Sequence, residues 1–329
     1  MPVVPVVGPV DLAGSLDVFR RSGDDLLDRW DGRVWLRAPA VDGRMVGVAA
    51  RPVGTVAAPA LEVEAEAGAD AAAAGRALAA AFVTAPEALA ELAAADPVVA
   101  RIAARFPGVG PILQPDLLTA VVRSISAQQI TLRFAAVLRG RLARRYGHRH
   151  SVGAEPGPGP LGAGPGAEVW SLDPHRLARA QVGELRELQF STSKAAAIIA
   201  FARAVAGGEL DPEELAGLED EAVVERLTAF PGIGRWTAEW LLARTLARPR
   251  VVAGDLGVRK AVGAAYLDGR MPSEAEVRAA TAHWGAAAGV AQQLLLHWLS
   301  LEAPGRGGPL RAPTSRGTAT RPGRSSRRG

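Results

Sequence analysis

Asp255 stands immediately before a segment with helical periodicity, 21 residues after Gly234. An aspartate in that place is most simply a helix N-cap, because its side-chain oxygen accepts a bond from a free backbone N–H group. The positive end of a helix also favours an ionised carboxylate, and aspartate is ordinarily ionised at neutral pH. The same residue could therefore begin a helix and hold a fixed negative charge that stabilises developing positive charge in a reaction.

Gly232 and Gly234 flank Ile233 in the sequence Phe-Pro-Gly-Ile-Gly-Arg-Trp-Thr-Ala, between two amphipathic segments that together span about 221–247. Glycines permit a tight turn and leave backbone N–H groups uncovered. The first N–H groups of the second helix would point to the same place, which is a geometry that binds phosphate without touching a base edge. A plain helical hairpin with a glycine-rich turn is the simpler explanation of Gly-x-Gly alone.

The spacing of apolar residues predicts two kinds of structure along the chain. Short apolar or alternating runs between turn signals over residues 32–66 predict strands, and an alanine-rich stretch from about 70 to 95 predicts helix. From residue 115 onward the segments repeat with helical periodicity. The predicted fold class is an α+β N-terminal domain followed by a mostly α-helical bundle that contains the helix-hairpin-helix motif.

We place the small α+β domain at 1–100 and an all-helical domain at 101–302. Residues 152–166 form a Gly/Pro-rich insertion in the second domain, predicted to be a mobile loop. Residues 303–329 contain Gly, Pro, Ser and Arg with almost no large apolar side chain, so we predict a disordered basic tail.

The net charge of +4 is unevenly distributed. Seven of the 38 basic residues lie in 303–329, which has no acidic residue, so 1–302 has 31 basic against 34 acidic residues, a balance of −3. Any attraction to nucleic acid must therefore depend on local sites and on the tail, because the rest of the chain is close to neutral.

The chain has no cysteine, which excludes disulfides, a cysteine-ligated iron–sulfur cluster and a thiolate zinc site. His148 and His150 have no acidic residue or third ligand placed beside them, so we interpret them as a solvated helix end and expect no metal. No apolar run is long enough to cross a membrane, and the N-terminus lacks the pattern of a secretory signal. We therefore expect a cytoplasmic protein that does not bind membranes.

The fuller pattern, Leu-x-x-Phe-Pro-Gly-Ile-Gly-x-x-Thr-Ala followed by an aspartate that opens the next helix, resembles the helix-hairpin-helix superfamily of DNA glycosylases. Within it, the chain most resembles the AlkA-type DNA-3-methyladenine glycosylases over roughly residues 10–302. The resemblance implies that Asp255 is the catalytic residue and that Trp236 and Trp240 line the base pocket, although core packing is the simpler explanation of any single helical tryptophan. It also implies a set of residues that bind the DNA backbone: Gly232, Gly234, Arg235 and Thr237.

Three further features follow from the same resemblance. The bend after Arg123 corresponds to the one that fills the gap left by a flipped nucleotide, which makes Gln129 the wedge and Gln128 its neighbour, although polar residues are common at helix bends. Bifunctional members carry a Schiff-base lysine where this chain has Trp236, so no lyase activity is expected. Residues 285–289, Gly-Ala-Ala-Ala-Gly, are small where AlkA-type members are rich in Arg and Trp, which leaves one wall of the pocket unassigned.

Together these features predict a monofunctional DNA glycosylase of base excision repair. It would flip a damaged nucleotide out of double-stranded DNA and hydrolyse the N-glycosidic bond of an alkylated base such as 3-methyladenine. Such a base is already cationic and leaves readily, so one carboxylate suffices where ordinary glycosidases need two. Two alternatives stay open: a glycosylase for uracil, hypoxanthine or mismatched adenine, and a non-catalytic helix-hairpin-helix module that only binds DNA. We expect no cofactor and a monomer.

Overall fold

The computed structural model of the chain describes residues 1–152 and 167–302. Residues 3–65 contain an antiparallel sheet in the order β1-β7-β6-β3-β2 and a separate pair, β4-β5. The strands are β1 (Val3–Pro5), β2 (Asp28–Trp30), β3 (Trp35–Arg37), β4 (Ala40–Val41), β5 (Arg44–Met45), β6 (Val48–Gly54) and β7 (Pro59–Ala65).

Over β6 and β7 the sheet buries one face and its residues alternate accordingly, whereas all three residues of β3 are buried. In β7, Leu61 and Val63 are fully buried, whereas Glu62 and Glu64, which follow them in turn, are partly exposed, which is the period of two that a strand imposes. The buried face packs against two helices, α1 (Leu12–Ser22) and α2 (Ala71–Ala79). The predicted α+β character of the N-terminal region is confirmed.

The rest of the described chain is mostly helical, as predicted. The helices are α3 (Pro86–Ala95), α4 (Pro97–Arg105), α5 (Leu117–Ala127), α6 (Leu132–Tyr146), α7 (Pro174–Arg179), α8 (Val182–Glu187), α9 (Thr192–Ala206), α10 (Pro212–Gly217), α11 (Asp220–Thr228), α12 (Arg235–Thr245), α13 (Leu256–Tyr266), α14 (Glu274–Thr281) and α15 (Ala288–Glu302), with a 3₁₀ helix at Ala282–Ala287. Over the described residues, none of them is long and apolar enough to cross a membrane.

Two apolar cores hold the helices together. In the larger core α5 packs against α9 and α12, and nine of its eleven residues are buried. The second core joins α13 and α15 to α3 and α4 through side chains such as Val258, Leu294 and Val99. The site described below lies where elements of both cores meet the N-terminal sheet domain.

The prediction of an all-helical domain at 101–302 is wrong in one place. A hairpin of β8 (Gly147–Val152) and β9 (Ala167–Leu172) follows α6. His150 of β8 is buried and contacts Glu66 and Ser171, so it does not form a solvated helix end. The sequence does not predict this hairpin, because the Gly/Pro-rich insertion separates the alternating residues of its two strands. Residues 153–166 of that insertion lie outside the described part of the chain.

The predicted division at residue 100 falls inside α4. Because α3 and α4 pack with the C-terminal helices rather than with the sheet, we propose a division near residue 85 instead. The predicted tail, 303–329, lies outside the described residues.

Candidate active site

The hairpin turn connects α11 to α12, and its two glycines have different roles. Gly232 has φ +77°, a conformation that side chains rarely adopt, and a Cβ there would lie 2.8 Å from Cβ of Ala197. Gly234 is the N-cap of α12, and no atom lies within 4 Å of where its Cβ would be. Ile233 between them is buried in the larger core, which anchors the turn. The turn thus presents an open backbone at the N-terminus of α12.

The first three residues of α12 face different surroundings. The first N–H groups of a helix have no acceptor within it, so Arg235, Trp236 and Thr237 leave donors beside Gly234. Arg235 is exposed and pairs with Glu221 at 2.8 Å and Glu239 at 3.1 Å. The side chain of Thr237 is buried against the hydroxyl of Ser124 at 3.2 Å, so only its backbone N–H is left for a phosphate.

Asp255 is the N-cap of α13, as its position in the sequence predicts. Its Oδ1 accepts from the N–H of Val258 at 2.9 Å, and its own N–H donates to Val252 at 3.0 Å. These two bonds fix both the backbone and the carboxylate. Asp255 lines a cavity of about 240 Å³.

Trp236 and Trp240 line the same cavity, one helical turn apart on α12. The indole N–H of Trp236 is buried without a hydrogen-bond partner among the described residues, and an unpaired buried donor is costly. Trp240 is half-buried and packs partly against the larger core. The structure thus brings both tryptophans and Asp255, three of the predicted site residues, to one cavity.

The facing wall comes from α1, which sequence reasoning missed. Ser15, Val18 and Phe19 of α1 line the cavity, whereas residues 285–289 do not. A signal for this helix was present, since Asp11 caps it with a 2.9 Å bond from Gly14 and apolar Leu12, Leu16 and Phe19 follow at helical spacing. The wall that the Gly-Ala-Ala-Ala-Gly segment left unassigned is therefore supplied from the N-terminal domain.

A cluster of buried charges, which we call the charge cluster, forms part of this wall, and all of its members except Arg37 line the cavity. Its members, drawn from β2, β3, α5, α6 and the loop before β2, are Asp25, Asp28, Arg37, Arg123 and Arg139. Arg123 donates to Asp28 at 2.7 Å and to Asp25 at 3.0 Å, and Arg139 donates to Asp25 at 2.9 Å. Burial alone would raise the pKa of Asp25, but Arg123 and Arg139 outweigh it and lower that pKa to about 2.

Arg244 of α12 also lines the cavity, and its charge interacts with that of Asp255. Its Nη2 donates to Oε1 of Gln293 at 2.7 Å, which is the one side-chain acceptor it has among the described residues. Burial lowers the pKa of Arg244 to about 10, although the negative charge of Asp255 acts in the opposite direction. The guanidinium therefore stays charged at neutral pH, with donors left for a ligand.

The two glutamines stand in the turn between α5 and α6. Gln128 caps the end of α5, and Gln129 has φ +60° with an exposed side chain. Neither lines the cavity, but Ala127 before them and Leu132 after them do. The turn is thus at the edge of the cavity. Within the described part of the chain, no group of three or more His, Asp or Glu side chains is placed to hold a metal ion.

Comparison with known proteins agrees with this architecture. The model of the "HhH-GPD superfamily base excision DNA repair protein" family matches residues 122–286, half of the chain. That range includes the hairpin, both tryptophans and Asp255. The chain belongs to this superfamily.

Individual relatives are more distantly similar. The chain is 29% identical to a DNA-3-methyladenine glycosylase of Bacillus subtilis over 59% of its own length and 61% of the relative. It is 33% identical to DNA-3-methyladenine glycosylase 2 of Escherichia coli over 44% of its length and 46% of the relative. The matches thus span about six tenths or less of these relatives. The solved structure of a 3-methyladenine DNA-glycosylase from Archaeoglobus fulgidus superposes with a TM-score of 0.75 at 26% identity, covering 92% of this chain and 99% of the other.

Proposed function

We propose that the chain is a monofunctional DNA glycosylase that removes alkylated bases, such as 3-methyladenine, from double-stranded DNA. The observation that carries the proposal is the position of Asp255, fixed by its N-cap bond in a cavity that Trp236 and Trp240 also line. The names of the relatives, which are 3-methyladenine glycosylases, support the choice of substrate.

The chemical step needs one fixed negative charge. As the bond between C1′ and the base nitrogen breaks, its electron pair leaves with the base and positive charge develops on the deoxyribose. The carboxylate of Asp255 stabilises that charge without reorganising, because the N–H of Val258 already holds its Oδ1. Water then bonds to C1′ and loses a proton to Asp255 or to solvent, which leaves an abasic site and a free base.

The two tryptophans, Trp236 and Trp240, would recognise the base. An aromatic face attracts a cation through the ring quadrupole, which favours a base that carries a positive charge after alkylation. Flipping costs a few kcal/mol and costs least for damaged or mispaired bases, so it adds to the selectivity. Gly232 and Gly234, with the backbone N–H groups of Arg235 and Thr237, would hold a phosphate beside the cavity, with Gln129 as the wedge and Gln128 beside it.

Strand cleavage is not part of the proposed activity. Trp236 occupies the position from which a lysine would attack the sugar, and the Nζ of Lys194 is bonded to two backbone carbonyls of another turn. Strands should therefore break only after alkali treatment. Borohydride should trap no covalent adduct between protein and DNA, and a robust adduct would contradict a monofunctional enzyme.

Arg244 favours a second candidate, a glycosylase for a base with a carbonyl group such as hypoxanthine. A guanidinium in the pocket can donate to a carbonyl oxygen, and it offsets the negative charge of Asp255 that would attract a cationic base. The two candidates share the site and the carboxylate of Asp255, but neutral hypoxanthine would leave as an anion, whose charge a hydrogen bond from Arg244 would stabilise.

The test is cleavage of duplexes that each carry one defined lesion, followed by alkali to reveal abasic sites. For the preferred lesion, Asp255→Asn should lower single-turnover cleavage at least about a hundredfold, the scale of losing a preorganised electrostatic group. Asparagine is also a good N-cap, so the fold should persist. Affinity for damaged DNA should be retained.

A matched control separates catalysis from capping. Asp211 is the N-cap of α10 and accepts from Glu213 at 2.8 Å, but it does not line the cavity. Asp211→Asn should leave cleavage unchanged. Near-normal cleavage by Asp255→Asn would refute the assignment, and binding without cleavage of any lesion by the unaltered chain would favour a DNA-binding module.

A further inference from the structure

The turn that carries Gln129 is held in an unfavourable conformation. A left-handed backbone costs a residue with a side chain about 1–2 kcal/mol, and Gln129 has φ +60°. The turn also follows the C-terminus of α5, where the last carbonyl groups accept no hydrogen bond from within the helix. Such a turn keeps one conformation only if its surroundings hold it there.

Lys194 contacts this turn from a distant part of the sequence. It lies in the first turn of α9, and its Nζ donates to the carbonyl oxygen of Gln128 at 2.6 Å and to that of Ser126 at 3.2 Å. A cation at the C-terminus of a helix interacts favourably with the helix dipole. Lys194 is partly buried, and this burial lowers its pKa.

The same turn is tied from its other side to the charge cluster. The hydroxyl of Ser126, which is fully buried, accepts from Nη1 of Arg139 at 3.0 Å. Ser126 therefore accepts two hydrogen bonds from cationic side chains: its carbonyl oxygen accepts from Lys194 and its hydroxyl accepts from Arg139. Of the two, only Lys194 also reaches Gln128, the residue next to Gln129.

We propose that Lys194 is a positioning residue that fixes the turn between α5 and α6, so that Gln129 enters the duplex as the damaged nucleotide leaves it. The inference rests on the proposed function. It assigns this lysine to nucleotide flipping and not to the breaking of the glycosidic bond, since its Nζ bonds to two backbone oxygens and it does not line the cavity that Asp255 lines.

The experiment separates flipping from chemistry with two substrates. One is a fully paired duplex with a single lesion, and the other carries the same lesion in an unpaired bulge, where little unstacking is required. Lys194→Met should lower single-turnover cleavage of the paired duplex about tenfold, which corresponds to about 1.4 kcal/mol. Cleavage of the bulged lesion should change by less than about threefold, since the bond-breaking groups are intact.

Two variants control for charge and for general stability. Lys194→Arg keeps a long cationic donor and should restore most of the rate on the paired duplex. Arg203→Met removes a similar bond on the same helix, from its Nε to the carbonyl of Ala178 at 3.0 Å, but far along α9 from the turn. It should cleave both substrates at the unaltered rate.

Hydrogen exchange tests, without any catalysis, whether Lys194 fixes the turn between α5 and α6. In Lys194→Met, amides of residues 126–131 should exchange faster, and in Arg203→Met they should not. Unchanged exchange in this segment, or an equal loss of cleavage on both substrates, would overturn the proposal. Failure of the unaltered chain to cleave any lesion would instead contradict the proposed function. The exchange measurement needs no cleavage, so it still tests whether Lys194 fixes the turn.

Discussion

The two walls of the cavity differ in the sequence separation between the residues that form each of them. Trp236, Trp240 and Asp255 lie within 20 consecutive residues, on one helix and at the start of the next. The facing wall combines Phe19 of α1 with charged residues of β2, α5 and α6, more than 100 residues from the first to the last.

This difference separates the residues that would act on the substrate from those that stabilise the fold. On the first wall, helix capping places Asp255 locally and Trp236 lies in the first turn of its helix, so these two residues can be exchanged with little effect on the rest of the fold, whereas Trp240 also packs against the larger core. On the second wall, the charge cluster joins the sheet domain to the helical bundle, and each of its buried charges is paired with an opposite charge in the same cluster. Substitutions on the first wall should therefore alter activity, and those on the second should alter stability.

The largest effect on stability is expected for Asp28→Asn. Asp28 is fully buried and accepts from Arg37, Arg123 and the indole of Trp35, so its loss leaves the buried guanidinium of Arg37 without a counter-ion and that of Arg123 with Asp25 alone. Breaking a buried ion pair by removing one partner costs about 3–5 kcal/mol. Denaturant unfolding should show this loss in the free energy of unfolding.

A control for that prediction lies four residues earlier. Asp24 makes the same kind of bond to Arg29, at 2.7 Å, but its side chain is 50% exposed. Asp24→Asn should cost less than about 1 kcal/mol, as surface pairs do. Similar losses in the two variants would show that the charge cluster is no more important than a surface pair.

A smaller effect should appear in acid. The pKa of Asp25 falls from 3.8 to about 2 on folding, so its ionised form stabilises the folded state at pH values above the unfolded pKa. That contribution, about 2 kcal/mol, is lost as the pH falls from about 4 towards 2. Urea unfolding across this range should show a steeper fall for the unaltered chain than for Asp25→Asn, and parallel curves would contradict the assignment.

The same contrast explains what the sequence could predict. The hairpin and the capping role of Asp255 depend on glycines, a cap and helical spacing within one short segment, all of which are visible in the sequence. The pairing of Asp25 with Arg123 joins residues 98 apart and has no local signal. The contact of His150 with Glu66 likewise depends on how a strand pair packs on the first domain, which periodicity cannot show.

The two hairpin glycines give the smallest and most selective test. Gly232→Ala should destabilise the fold by about 1–2 kcal/mol, because the residue has a positive φ and its new Cβ would press on Ala197. Gly234 has φ −89° and open space around it, and Asp and Asn are both preferred N-caps. Gly234→Asp and Gly234→Asn should therefore fold with unchanged or higher stability.

Binding should distinguish the charged variant at Gly234 from the neutral one. A carboxylate at the N-terminus of α12 would repel a phosphate that the backbone N–H groups otherwise hold, so Gly234→Asp should weaken DNA binding about tenfold at low salt, an interaction of about 1.4 kcal/mol. Gly234→Asn, of almost the same shape, should lose less. Because phosphate contacts carry no sequence information, damaged and undamaged duplexes should be affected equally. Equal affinities for the Asp, Asn and unaltered chains, with folding verified by circular dichroism, would mean that the turn does not face the DNA backbone.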